Sequence, residues 1–207
     1  MGQVINVFIA DDHAVIRKGL QLFIEQDEGL KLTGEAADGE ELLMKLKRTP
    51  VDVLLLDIDM PKGNGIAMIK TIHQKFPGIK IVILSMHPEE IYGPTARKLG
   101  VVGYLSKGLD PVEIFRAVKR IYGGETFFNP DLYKKSKKGR VLSIKLSKRE
   151  SEVLSLISSG MTNKDISEHL DISDKTVSTY KLRLMKKLGA RNVVDLVQYY
   201  QRFKEGK

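Results

Sequence analysis

The chain has no cysteine. Disulfides, thiolate metal sites and cysteine nucleophiles are therefore excluded, and the composition fits a reducing, cytoplasmic setting. No apolar stretch approaches the ~20 residues that a membrane span needs, so no membrane partner is expected. Met1-Gly2-Gln3 runs straight into a strand pattern, and no signal peptide is expected there. Acidic residues are scarce in one part only. Residues 1–127 hold 16 Lys/Arg and 17 Asp/Glu, a net of −1, whereas residues 128–207 hold 18 and 9, a net of +9. The basic excess thus belongs wholly to the C-terminal part. A basic module suits a polyanionic partner such as double-stranded DNA, although a solvated surface has the same composition. At 207 residues the chain is long enough for one large or two modest domains.

Residues 1–122 alternate between two periodicities. Strand patterns fall at about 4–10, 30–36, 51–56, 79–84 and 101–105, and helical patterns at about 13–26, 39–48, 64–76, 89–99 and 111–122. Asp38 with Glu41 forms a capping-box pattern. Asp110-Pro111-Val112-Glu113 supplies a cap, a proline at the first helical position and a carboxylate at the third. Five βα units predict a five-stranded, doubly wound parallel sheet of the flavodoxin-like kind, an α/β fold, over residues 1–127. Residues 128–145 lose the periodicity, and Lys134-Lys135-Ser136-Lys137-Lys138-Gly139-Arg140 reads as a basic linker. Residues 146–207 are helical throughout. Ser147-Lys148-Arg149-Glu150 is a capping box, Gly160 ends the first helix, and Thr162 and Asn163 begin the second, to Leu170. Ser173 caps a third helix that Gly189 stops, and a fourth runs from about Val193 to Phe203. Two short helices around a tight turn, the second longer and basic, suggest a helix-turn-helix in an all-α, four-helix second domain.

Polar residues end four of the strand patterns. Asp57 follows Val53-Leu54-Leu55-Leu56, Asp11 and Asp12 follow Val4 to Ala10, Ser85 follows Ile81-Val82-Ile83-Leu84, and Lys107 follows Val101 to Leu105. In an open α/β sheet, chemistry sits just beyond such strand ends. Three close carboxylates repel one another unless a cation lies between them, and all-oxygen ligation suits Mg²⁺. Asp57 is then a candidate nucleophile that forms an aspartyl-phosphate, with Ser85 and Lys107 binding phosphoryl oxygens.

This set resembles the receiver domain of two-component response regulators, over about residues 4–122. The resemblance rests on Asp11-Asp12, on Asp57 within Asp57-Ile58-Asp59-Met60-Pro61-Lys62-Gly63-Asn64-Gly65, on Ser85 and on Lys107. It implies that Asp57 is the phosphoacceptor and that a histidine kinase is the donor. It also implies that Asp12 and Asp57, with Asp11 through water and the backbone carbonyl of Asp59, hold Mg²⁺. Ser85 and Tyr104 would be the switch pair. His13 reads as a surface helix start and is assigned no role. Gly93-Pro94 departs from the pattern, and the fourth helix is expected to begin only at Pro94, on the face through which such domains pair. Asp57-Ile58-Asp59 is also similar to the first motif of haloacid-dehalogenase-type phosphatases. Against that reading, the acidic pair precedes the nucleophile strand, no Gly-Asp-acid cluster follows Lys107, and no cap insertion follows Asp59.

Indexed at 100° per residue, the third C-terminal helix sets Val177, Leu184 and Leu188 on one stripe flanked by Tyr180 and Met185. The opposite side supplies the candidate DNA-facing set, Lys175, Ser178, Thr179, Leu182, Arg183 and Lys186. Lys181 falls near the apolar stripe, its stem expected along the core edge and its ammonium outside. Residues 146–203 closely resemble the LuxR/FixJ/NarL-type helix-turn-helix, through Leu146-Ser147-Lys148-Arg149-Glu150, Gly160-Met161-Thr162-Asn163-Lys164-Asp165-Ile166, Leu170-Asp171-Ile172-Ser173, Lys175-Thr176-Val177 and Lys186-Lys187-Leu188. In many members of that family a β-branched apolar residue stands where Lys181 does. The resemblance implies that the third helix reads DNA and that the fourth, with Val193, Val194, Val197 and Tyr200, adds a dimer contact. Joined to a receiver, it implies a transcriptional response regulator that is not an enzyme and that dimerises on phosphorylation. The alternative is a phosphorylation-independent DNA-binding regulator whose receiver serves only protein interaction.

Overall fold

The computed structural model describes residues 3–63, 65–133, 146–190 and 192–204. The chain divides into two compact units. In the first, five strands, β1 (Ile5–Ala10), β2 (Leu30–Ala36), β3 (Val53–Leu56), β4 (Lys80–Ser85) and β5 (Gly103–Ser106), alternate with five helices. These are α1 (Ala14–Glu25), α2 (Gly39–Leu46), α3 (Gly65–Lys75), α4 (Glu89–Lys98) and α5 (Pro111–Tyr122). All strand pairs are parallel, in the order β2-β1-β3-β4-β5. β3 can be a run of four apolar residues because helices cover both of its faces, and every one of the four is buried. Full burial of each such side chain is worth about 1.5–3 kcal/mol. The order reverses direction between β1 and β3, so the crevice beyond their carboxyl ends is the topological switch point.

Caps place most helix starts where the sequence predicts them. The Asp110 side chain accepts the Val112 N–H at 2.8 Å, just ahead of Pro111. Asp38 accepts the Glu41 N–H at 2.9 Å, but Glu41 reaches back to the N–H of Ala37 rather than closing a box with Asp38. One expectation fails outright. α4 does not wait for Pro94; it starts at Glu89 and runs through Gly93 and Pro94, both buried. Proline there removes a single i→i−4 donor, and burial of the helix face outweighs that loss. The expected linker also begins too early. The Phe127 N–H donates to the Val102 carbonyl (2.9 Å) and its carbonyl accepts the Tyr104 N–H (2.8 Å) beside β5. Residues 130–133 form a short helical turn, α6 (Pro130–Tyr133), with Leu132 buried. The basic run 134–140 lies outside the described residues.

The second unit has four helices, α7 (Lys148–Ser158), α8 (Asn163–Leu170), α9 (Asp174–Leu188) and α10 (Val193–Lys204). Ser147 with Glu150 and Thr162 with Asp165 form complete capping boxes. α9 stops at Gly189, where φ is +62°. The α8–α9 turn passes through Asp171 at φ +53°, a left-handed conformation that short polar side chains tolerate. Val153, Leu154, Ile157, Ile166, Val177, Leu184, Leu188 and Leu196 form the core. Glu150 is buried among them. Burial disfavours its charge, but Lys187 at 2.7 Å and Ser147 outweigh this and hold the carboxyl below its usual range. Among the described residues, no helix is long and apolar enough to cross a membrane.

Candidate functional site

Ala10 on β1 stands opposite Leu56 on β3, so Asp11 and Asp57 are the first residues beyond two adjacent strand ends. The sheet ladder continues one step further to hold them. The Asp57 N–H donates to the Ala10 carbonyl at 2.8 Å, and the Asp11 N–H to that of Ala36 at 3.0 Å. Beyond β4 and β5, the Lys107 N–H donates to the Ser85 carbonyl at 2.9 Å. Its side chain then turns in, with Nζ 2.7 Å from Asp57 Oδ2 and 2.7 Å from Asp11 Oδ2. Asp57 is only 1% exposed. Burial pushes its carboxyl above the usual range, against the pull of Lys107 and of the Asp59 N–H, which donates to Oδ1 at 3.0 Å. For Lys107, burial disfavours the ammonium, but the Asp11 and Asp57 carboxylates outweigh it and raise its pKa.

One ammonium does not neutralise this cluster. Asp12 lies at the exposed edge, and Asp11, Asp12, His13 and Asp57 each offer a ligand atom, all within 4.8 Å of one another. A set dominated by carboxylate oxygens, closed on one side and open on the other, fits a hard divalent cation that keeps some of its water. His13 is an addition to the set read from the sequence. It is the N-terminal residue before α1 but makes no side-chain cap bond. Instead its Nδ1 lies 2.6 Å from Asp12 Oδ1 and 3.0 Å from Asp11 Oδ1. Adjacency to the acidic pair is its only signal in the sequence.

Ser85 and Tyr104 are both buried, interact with each other through their side chains, and both bind the backbone of His87. The Ser85 Oγ accepts the His87 N–H at 3.1 Å, and the Tyr104 hydroxyl donates to the His87 carbonyl at 3.0 Å. Burial holds the Tyr104 proton on, so this donor is neutral. The His87 ring also reaches across to β3, its Nε2 3.0 Å from an Asp59 carboxylate oxygen. A lone histidine two positions past Ser85 carries no pattern, and the sequence alone does not single it out.

In the second unit, α9 buries Val177, Leu184 and Leu188 and exposes Lys175, Thr179, Leu182, Arg183 and Lys186. Leu182 is 65% exposed, far more than a core leucine. Ser178, placed with this set from the sequence, is half-buried, and its Oγ accepts the Asn163 Nδ2–H at 3.2 Å. The Lys181 ammonium is not free outside the core edge; it donates to Asn163 Oδ1 at 2.5 Å and ties α9 to α8. Of the expected dimer residues, Val193 and Val194 are exposed on α10. Tyr200 instead faces its own unit, its hydroxyl 2.8 Å from Ser155 Oγ.

Residues 7–119 match the response regulator receiver domain, and residues 145–200 match the bacterial regulatory proteins of the luxR family. The chain is 32% identical over 200 residues to the response regulator UvrY of Escherichia coli strain K12, covering 93% of this chain and 92% of that one. It is 37% identical over 208 residues to the oxygen regulatory protein NreC of Staphylococcus epidermidis, covering 94% and 95%. Among solved structures it is similar to RcsB of Salmonella enterica serovar Typhimurium bound to the promoter rprA in the presence of phosphomimetic BeF₃⁻. That likeness has a TM-score of 0.71 and 32% identity, and covers 96% of this chain and 99% of the other.

Proposed function

The chain belongs to the response regulators that join a receiver domain to a LuxR-type DNA-binding domain, and we propose that phosphotransfer from a histidine kinase to Asp57 switches its binding to double-stranded DNA. The receiver match over residues 7–119 supports this reading over the phosphatase alternative. The observation that carries the switch is the Lys107 ammonium shared at 2.7 Å by Asp11 and Asp57, beside Asp12 at the topological switch point.

Each residue has a part in this reading. An Asp57 carboxylate oxygen attacks the phosphorus of a phosphohistidine; the new P–O bond forms as the P–N bond breaks, and the imidazole leaves with a proton. Lys107 and Ser85 face the incoming phosphoryl oxygens, one by charge and one by a hydroxyl donor. Asp12 and Asp57, with Asp11 through water and the Asp59 backbone carbonyl, would hold Mg²⁺, which would supply positive charge against the phosphoryl group. Ser85 and Tyr104 then report the new group through His87. α9 presents Lys175, Ser178, Thr179, Leu182, Arg183 and Lys186 to the major groove, and exposed Val193 and Val194 pair α10 with a second copy. The setting is cytoplasmic, where kinase and chromosome are both within reach.

The test is incubation of wild type and Asp57→Asn with acetyl phosphate and Mg²⁺, read by intact mass and by DNA binding. Wild type takes up one phosphoryl group and binds DNA more tightly, and the variant does neither. Equal labelling of both would remove Asp57 from its role. A labelled protein with unchanged DNA binding would instead favour the phosphorylation-independent regulator.

A further inference from the structure

We propose that Phe127–Tyr133 form a clasp that pins the chain's exit from the first unit onto α4, and that filling the phosphoryl site opens it; the second half rests on the phosphoacceptor reading of Asp57. The clasp has three fastenings. Phe127 pairs with β5 through the bonds to Val102 and Tyr104, at 2.9 and 2.8 Å. The Asn129 N–H donates to both carboxylate oxygens of Glu89, at 3.1 Å each. Arg97 lies against two rings that meet edge to face, its guanidinium carbon 4.5 Å from the Tyr133 ring centre and 5.5 Å from that of Phe128.

This also accounts for Gly93 in the middle of a helix, where glycine is otherwise unfavourable. A Cβ at Gly93 would stand 2.6 Å from the Tyr133 hydroxyl oxygen and 2.6 Å from Glu89 Cγ. The glycine is the slot into which the tyrosine closes. Burial, with the Glu89 carboxylate beside it, keeps the Tyr133 proton on.

The route to the phosphoryl site is short. Glu89, which holds Asn129, is separated from Ser85 only by Met86, His87 and Pro88. His87 is bonded at both ends, its N–H to Ser85 and its carbonyl to Tyr104. Pro88, at φ −59°, leaves that turn little freedom to absorb a shift. A phosphoryl group on Asp57 recruits the Ser85 hydroxyl, and the displacement passes through His87 to Glu89. Once released, the seven residues 127–133 can extend to about 24 Å.

The experiment is amide hydrogen exchange on the full chain, with and without beryllofluoride and Mg²⁺, followed at residues 127–133. In wild type these amides exchange slowly, and beryllofluoride speeds them on the order of tenfold. Gly93→Ala and Arg97→Ala exchange fast in both states, and Asp57→Asn slowly in both. Should Gly93→Ala fail to fold, Tyr133→Ala opens the same clasp from its other side. Slow exchange in a folded Gly93→Ala or Tyr133→Ala overturns the clasp. Unchanged exchange in wild type whose Asp57 does take phosphoryl from acetyl phosphate overturns the coupling and leaves the phosphoacceptor reading intact. Absence of that label overturns the phosphoacceptor reading and the coupling together, while the variants still judge the clasp.

Discussion

Lys107 is buried to 3% side-chain exposure between two carboxylates, a position that an isolated ammonium would not tolerate. Removing one partner from a buried ionic cluster costs about 3–5 kcal/mol, because the charges left behind lose their compensation. Lys107→Ala is therefore expected to destabilise the first unit by about that amount in metal-free buffer at neutral pH, measured by urea unfolding. Mg²⁺ should return part of the loss, since it binds the folded cluster and not the unfolded chain. The pH dependence has a definite sign. Burial already holds the Asp57 carboxyl above its ordinary value, and loss of the ammonium raises it further. A carboxyl whose folded pKa lies above its unfolded one is penalised only when ionised. The penalty is absent below the unfolded pKa and grows as pH rises through the folded one, so the gap between wild type and variant should narrow in acid. A gap that stays below about 1 kcal/mol at neutral pH would mean that Lys107 does not hold the cluster together.

α9 shows what an element can disclose before its neighbours are known. The stripe of Val177, Leu184 and Leu188 is a local periodicity, and it emerges buried as indexed. Apart from half-buried Ser178, the opposite face emerges exposed, which leaves Leu182 as an apolar side chain with no core to fill. Such a residue can contact a thymine methyl, whereas Lys175 and Lys186 are placed for phosphates, which add affinity without sequence preference. Site selection with Thr179→Ala and Leu182→Ala should change preference at particular base pairs, by roughly 1–3 kcal/mol for each base that is no longer read. Lys186→Ala should reduce the salt slope by about 1 on every sequence. Unaltered preference in both folded Thr179 and Leu182 variants would remove this face from base reading. The same contrast explains what was legible elsewhere. Strand ends, caps and the Asp11, Asp12, Asp57, Ser85, Lys107 set are read from neighbours in sequence and from sheet order. The Lys181–Asn163 tie, the Tyr200–Ser155 bond, the turn of His87 toward Asp59 and the seat of Tyr133 on Gly93 depend on tertiary contacts that no periodicity encodes. Pro94 misled because a rule about one missing donor yields to the burial of a whole helix face.

At the scale of the molecule, each unit has its own core and its own capped helices, and the charge is divided as sharply as the structure. Residues 1–127 carry 16 − 17 = −1 and residues 128–207 carry 18 − 9 = +9. Residues 134–140 hold five Lys/Arg and no apolar side chain. Trypsin should cut first between 134 and 145, where its target residues are densest, whereas the lysines and arginines of the described helices are held in structure that must open before cleavage. Two fragments follow, and they should divide the chemistry. The N-terminal fragment should still take phosphoryl from acetyl phosphate with Mg²⁺. The C-terminal fragment should still bind DNA with a steep salt dependence, because its charge excess releases counterions from the duplex. Only the response of DNA binding to the phosphoryl donor should vanish, since it requires both units on one chain. First cleavage inside 146–203, or a cut protein whose DNA affinity still answers to acetyl phosphate, would contradict this division of the chemistry.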